Sequence, residues 1–160
     1  MKDRSRSSSI PKKRSEGPKL RIRRARLPDA ERIAVLSGQL GYPATAREIA
    51  QRLRRMRPAE QNAIFVAEFR SKVIGWVHVS AVPLLEMPLK AEVNGLVVDE
   101  AARSAGAGRR LLAAAEKWAK STCCATMNVR SNVVRDRAHL FYERNGYEHY
   151  KTQKAFRKKL

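Results

Sequence analysis

A chain of 160 residues, 43% apolar and 31% charged, suffices for one domain that buries about two thirds of its unfolded surface and has no room for a second. It has no apolar run near the roughly 20 residues of a membrane span and no signal-peptide core at its start, so a cytoplasmic location is expected. The formal net charge of +19 is crowded at the front, where residues 1–26 carry eleven Lys and Arg against Asp3 and Glu16.

In chain order, residues 1–18 are rich in Ser, Pro, Lys and Arg and nearly devoid of apolar side chains, so a disordered basic tail is expected before a single domain over 19–160. A tail of this kind suits weak contact with nucleic acid or an anionic surface. Leu20–Ala25 alternates apolar and basic residues, a first strand. Pro28-Asp29 opens a helix with a stripe of Ile33, Ala34, Leu36 and Leu40, ended by Gly41. Thr45-x-x-Glu48 is a capping box for a second helix with Ile49, Leu53 and Met56 inward and Arg47, Arg52, Arg54 and Arg55 on a solvated face. Ala63–Phe69 and Val73–Val79 read as a hairpin, Pro83–Pro88 as a loop, and Lys90–Val98 as the next strand. A helix over 106–120, a strand over Ala125–Val129, a helix over Arg135–Asn145 and a last strand over Tyr147–Phe156 complete an α+β layout, its helices flanking a mixed sheet. The adjacent Cys123 and Cys124 are poorly placed for a disulfide, lack the number and spacing of a zinc site, and read as small buried residues at a strand start.

The junction of strand and helix is the most telling segment. Leu96-Val97-Val98-Asp99 runs into Arg103-Ser104-Ala105-Gly106-Ala107-Gly108 and then Arg109-Arg110-Leu111-Leu112. The first turn of a helix has amides without intrahelical partners and the positive end of the helix dipole, so it holds phosphate groups. Gly106 and Gly108 let the main chain approach such a ligand, and Arg103, Arg109 and Arg110 add cationic donors. A P-loop is excluded because Arg109-Arg110 follows Gly108 in place of Lys-Ser or Lys-Thr. A dinucleotide fingerprint is excluded because Leu111 occupies the place of its third glycine.

Arg-x-x-Gly-x-Gly from Arg103 to Gly108, preceded by Leu-Val-Val-Asp and followed by a basic amphipathic helix, resembles the acyl-CoA-binding motif of the GCN5-related N-acetyltransferases (GNAT). Arg137-Ala138-His139-Leu140-Phe141-Tyr142-Glu143-Arg144-Asn145-Gly146-Tyr147 is similar to the closing signature of the same family, and the resemblance extends over about Leu20–Phe156. It implies the GNAT acyltransferase fold, with six to seven strands in a mixed, mostly antiparallel sheet and about four helices. It also implies acetyl-CoA as co-substrate, with no metal, its pantetheine arm wedged between the strand before the turn and the strand after its helix. The coenzyme contacts carried over are Leu96, Val97, Val98, Arg103, Ser104, Ala105, Gly106, Ala107, Gly108 and Arg109, with Asn132 and Tyr142. The family's Asn lies seven positions before the Tyr, where this chain has Arg135, so Asn132 and Arg135 compete for that role.

The implied reaction is direct attack of an amine on the thioester. The protein must deprotonate an ammonium of pKa about 10.4, stabilise an oxyanion and protonate a thiolate whose acid has a pKa of about 8.5. By similarity, Tyr142 is the acid and a main-chain N–H near Leu96 or Val97 faces the oxyanion. Glu92, four residues before Leu96 and expected on the same strand face, is the candidate base acting through water, with Glu86 and His78 as rivals. The expected acceptor is a small primary amine, aminoglycoside-like in one version, because Gly41-Tyr42-Pro43 resembles the acceptor-side loop of small-molecule members. A protein N-terminus or lysine is the alternative. Glu68, Glu86 and Glu92 are the acids expected to line the acceptor pocket. A homodimer stays open, as do two other classes: a basic nucleic-acid-binding module and an acyl-CoA sensor without turnover.

Overall fold

The computed structural model describes residues 19–56, 61–102 and 106–160; the tail over 1–18 and the positions Arg103, Ser104 and Ala105 lie outside the described residues. Five strands form one sheet in the order β1 (Arg21–Arg24), β2 (Asn62–Phe69), β3 (Lys72–Leu84), β4 (Met87–Val98), β5 (Thr126–Val129). Neighbours are antiparallel except β4 and β5, which run parallel because α3 (Ala107–Ser121) carries the chain back across the sheet. α1 (Ala30–Gln39) and α2 (Ala46–Arg55) cover the other face, and α4 (Asp136–Arg144) follows β5.

Each side of the sheet has its own core. Leu111, Leu112 and Ala115 of α3 are fully buried on Val77, Val79 and Ala91, while Leu36 and Ile49 pack with Val66 and Val97 opposite. Each of the buried Leu, Ile and Val side chains contributes about 1.5–3 kcal/mol, so the periodic apolar positions account for the layering. α2 starts where the capping box requires: Thr45 Oγ1 accepts the Glu48 N–H at 3.2 Å and Glu48 Oε2 accepts the Thr45 N–H at 2.8 Å. Arg32 fixes α1 to the sheet by pairing with Asp99 and donating from Nε to the Val73 carbonyl at 2.9 Å. Arg23 bridges Asp29 and Glu68, each at 2.7 Å. Burial alone would push the Asp29 carboxyl up, but Arg23 and the Arg26 amide hold it below the usual carboxylate range.

Three expectations are corrected. The final strand over Tyr147–Phe156 does not form, leaving five strands rather than six to seven. Apart from Tyr147, the side chains of that segment are exposed, so no apolar face drives it onto the sheet, and Tyr150 makes its contact by accepting Asn128 Nδ2–H at 2.9 Å. The loop expected over Pro83–Pro88 shrinks to Leu85-Glu86, because β3 and β4 pair out to Leu84↔Met87. Cys123 is an exposed turn residue at φ 58° rather than a buried strand residue, and Cys124 is half-buried.

Candidate active site

The strand before the turn carries a β-bulge. His78 pairs with Gly95 and Val79 with Val93, which leaves Asn94 with no residue opposite it in the register of β3. One extra residue reverses the in-out alternation beyond it. Glu92 and Leu96, expected on one face, therefore lie on opposite faces: Leu96 joins the core under α3, whereas Glu92, next to Val93 of that core, faces the α1–α2 side. The bulge also sets the direction of the main-chain amides. Asp99 donates its N–H to the Ile74 carbonyl at 2.7 Å, so alternation turns the Val97 N–H toward β3 and leaves those of Leu96 and Val98 on the β5 side. Pairing between β4 and β5 stops at Val93↔Val129. Leu96 and Val98 thus present main-chain groups to a gap past the end of β5, and Val97 does not.

The mouth of α3 opens beside this gap. Gly106 is the N-cap, at φ 70° in the left-handed region that disfavours a side chain, and it supplies no capping side chain. Arg110 donates the first helical bond, to the Gly106 carbonyl at 3.1 Å, so the amides of Ala107, Gly108 and Arg109 have no partner within the helix. A β-carbon on Gly108 would lie 3.4 Å from the Phe141 ring and 3.6 Å from Val98 Cγ2. The first turn of α3, the end of β4 and α4 therefore converge at one glycine. Arg109 is exposed at this turn, while Arg110 is committed to the Leu20 carbonyl at 2.6 Å.

Tyr142 follows Phe141 on α4, packs edge-on against it and against Tyr147 with ring centres 5.2 and 5.7 Å apart, and lies against the core that contains Leu96 and Val98. Its hydroxyl has no hydrogen-bond partner among the described residues. Burial pushes its pKa up, outweighing the opposing pull of Arg135. Asn132 and Arg135 both have local work. The exposed Asn132 side chain accepts the Val134 N–H at 3.3 Å, and Arg135 reaches the Leu40 carbonyl at 2.9 Å.

On the α1–α2 face lies a cavity of about 240 Å³, walled by Ile33, Leu53 and Ile64, with Trp76, His78 and Tyr42 among its other lining groups. Burial pushes the His78 imidazole below its ordinary value, so it is neutral at pH 7, and its Nε2 donates to Asn62 Oδ1 at 3.1 Å. The expected acidic lining is not found here. Among the described residues the cavity has no Asp or Glu side chain; its charged group is Arg52, from the face expected to be only solvated. Glu68 is spent on Arg23. Glu86 is exposed in the β3–β4 turn. Glu92 is buried, with Arg130 Nε at 2.5 Å and Lys90 Nζ at 3.7 Å. The bulge, Trp76 and Arg52 escaped the sequence reading, although a glycine after Asn94 inside a strand signals a bulge. Among the described residues no group of three or more His, Cys, Asp or Glu is placed to hold a metal ion, and no helix is long and apolar enough to cross a membrane.

Residues 60–149 match the family described as the acetyltransferase (GNAT) domain. No curated protein matches the chain. Among solved structures, an aminoglycoside N-acetyltransferase, AAC(6')-Iy, in complex with CoA is 19% identical, with a TM-score of 0.80 over 91% of this chain and 99% of that one. The glucosamine-6-phosphate N-acetyltransferase of Arabidopsis thaliana is 20% identical, with a TM-score of 0.75 over 87% and 98% of the two chains. A putative acetyltransferase from Agrobacterium tumefaciens is 25% identical, with a TM-score of 0.76 over 86% and 99%.

Proposed function

Since the chain belongs to the GNAT acetyltransferase family, whose co-substrate is acetyl-CoA, we propose that it transfers the acetyl group to the primary amine of a small molecule by direct attack in a ternary complex. The observation that carries this reading is the pairing of a helix mouth that has no capping side chain among the described residues with a strand gap beside it. The amides of Ala107, Gly108 and Arg109, without partners within the helix, suit the diphosphate of the coenzyme, joined by Arg103, Ser104 and Ala105 of the motif. Leu96 and Val98 offer their main-chain edges to the amide-bearing pantetheine arm, which takes the place of the missing β5 partner.

The roles then divide by face. Leu96 N–H donates to the thioester oxygen as negative charge builds on it. Tyr142, kept protonated by its burial, gives its proton to the departing sulfur and regains one from solvent. The amine arrives from the opposite face through the cavity, whose size fits a small molecule better than a folded protein surface. Glu92 lies on that face and can take the ammonium proton through water. His78 has a specific claim to the same task, because its neutral imidazole lines the cavity itself while Glu92 is engaged by Arg130.

Calorimetry with CoA and free-thiol release from acetyl-CoA across a panel of primary amines test this reading. The expected result is CoA binding together with thiol release that depends on the amine. Binding without release for any amine would favour a sensor, and salt-sensitive DNA binding without CoA binding would favour a nucleic-acid module.

A further inference from the structure

The acceptor-side cavity is electrostatically wrong for a polycation. An amine with several ammonium groups needs carboxylates around it, and among the described residues lining this cavity there are none, while Arg52 brings a guanidinium to it. Resting on the acetyl-transfer reading above, we propose that the acceptor is an amine that also bears an anionic group, a carboxylate or a phosphate, on an apolar body. Arg52 takes the anion. Ile33, Leu53, Met56 and Ile64 cover the apolar part, and the amine points toward the β4–β5 gap.

The remaining charges agree with this assignment. Glu48 stands 4.0 Å from Arg52 and has Oε2 taken by the Thr45 amide and hydroxyl at 2.8 and 2.9 Å, so the guanidinium keeps donors for a ligand. Both side chains of that pair are about half exposed, which leaves the contact screened by water. Glu92 and Glu68 are neutralised by Arg130, Lys90 and Arg23 and offer little attraction to extra ammonium groups. Trp76, also in the wall, has its indole N–H buried without a partner among the described residues. The +19 charge of the chain steers anions inward and repels polycations.

The test compares initial rates of the full chain at saturating acetyl-CoA with apolar amino carboxylates, their decarboxylated amines, an aminoalkyl phosphate and an aminoglycoside. An anion-bearing amine is expected to exceed its uncharged counterpart at least about 10-fold in kcat/KM, and the carboxylate and phosphate arms tell which anion is preferred. Arg52→Ala should shrink that ratio to within about twofold through KM with kcat little changed, and Arg52→Glu should reverse it. Circular dichroism verifies that the exposed α2 substitutions leave the fold intact. A wild-type preference for the aminoglycoside or the plain amine, or an Arg52→Glu ratio equal to wild type, would overturn the acceptor assignment while CoA binding persists. A chain that binds no CoA would overturn the acetyl-transfer reading itself.

Discussion

Gly106→Glu is expected to weaken CoA binding at least about 100-fold, roughly 2.7 kcal/mol, in a domain that still folds. Fold survival follows from local geometry: among the described residues a β-carbon at Gly106 meets nothing within 4 Å, so the cost there is that of placing a side chain at φ 70°, about 1–2 kcal/mol. The loss of binding follows from charge. A carboxylate at the N-cap satisfies the amides of the first turn and puts negative charge where a diphosphate must sit. Gly106→Ala carries the same backbone strain without the charge and should lose less than about 10-fold. Calorimetry, with thermal unfolding beside it, separates the two effects. Equal affinities for wild type and Gly106→Glu would remove the helix mouth from the binding site.

The second large effect falls on turnover. Tyr142→Phe should lower kcat about 100-fold, the scale of one lost proton transfer, while the CoA dissociation constant changes less than about threefold. Phenylalanine keeps the edge contacts with Phe141 and Tyr147 and the packing on the core, so only the hydroxyl is deleted. Because burial raises the Tyr142 pKa, the phenol holds its proton through the whole neutral range. The wild-type rate should therefore climb with pH as the amine loses its proton, and fall only above about pH 10, where an ordinary tyrosine begins to ionise. Steady-state rates over about pH 6–10 check the rise and the absence of a fall within that range. If Tyr142→Phe turns over like wild type, the acid is another group and the aromatic trio is packing.

Local chemistry made much of this site legible in the sequence. The helix mouth was readable because Gly106, Gly108 and the apolar strand ahead of them encode it within a dozen residues, and Thr45 and Glu48 announced α2 in the same way. The acceptor side was not readable, because it depends on contacts between distant segments. Only pairing with β3 makes Asn94 a bulge, and that bulge moves Glu92 to the face opposite Leu96 and turns the Val97 amide away from the gap. Arg52 looked solvated because a helical wheel places it outward from the core. It reaches the cavity because α1 and α2 stand off the sheet at Trp76 and Ile64. The last strand failed for a related reason: Tyr147–Phe156 has β-forming residues but no buried face to hold them, and a strand without a face to bury is not stable on an edge.

A titration of the ¹⁵N-labelled protein with CoA, followed through its amide resonances, interrogates the binding geometry directly. The amides of Ala107, Gly108 and Arg109 at the head of α3, and of Leu96 and Val98 along β4, should show the largest shifts and saturate together, with Val97 moving less than its two neighbours. Shifts confined to the basic front of the chain, with those five amides unmoved at saturation, would contradict the account.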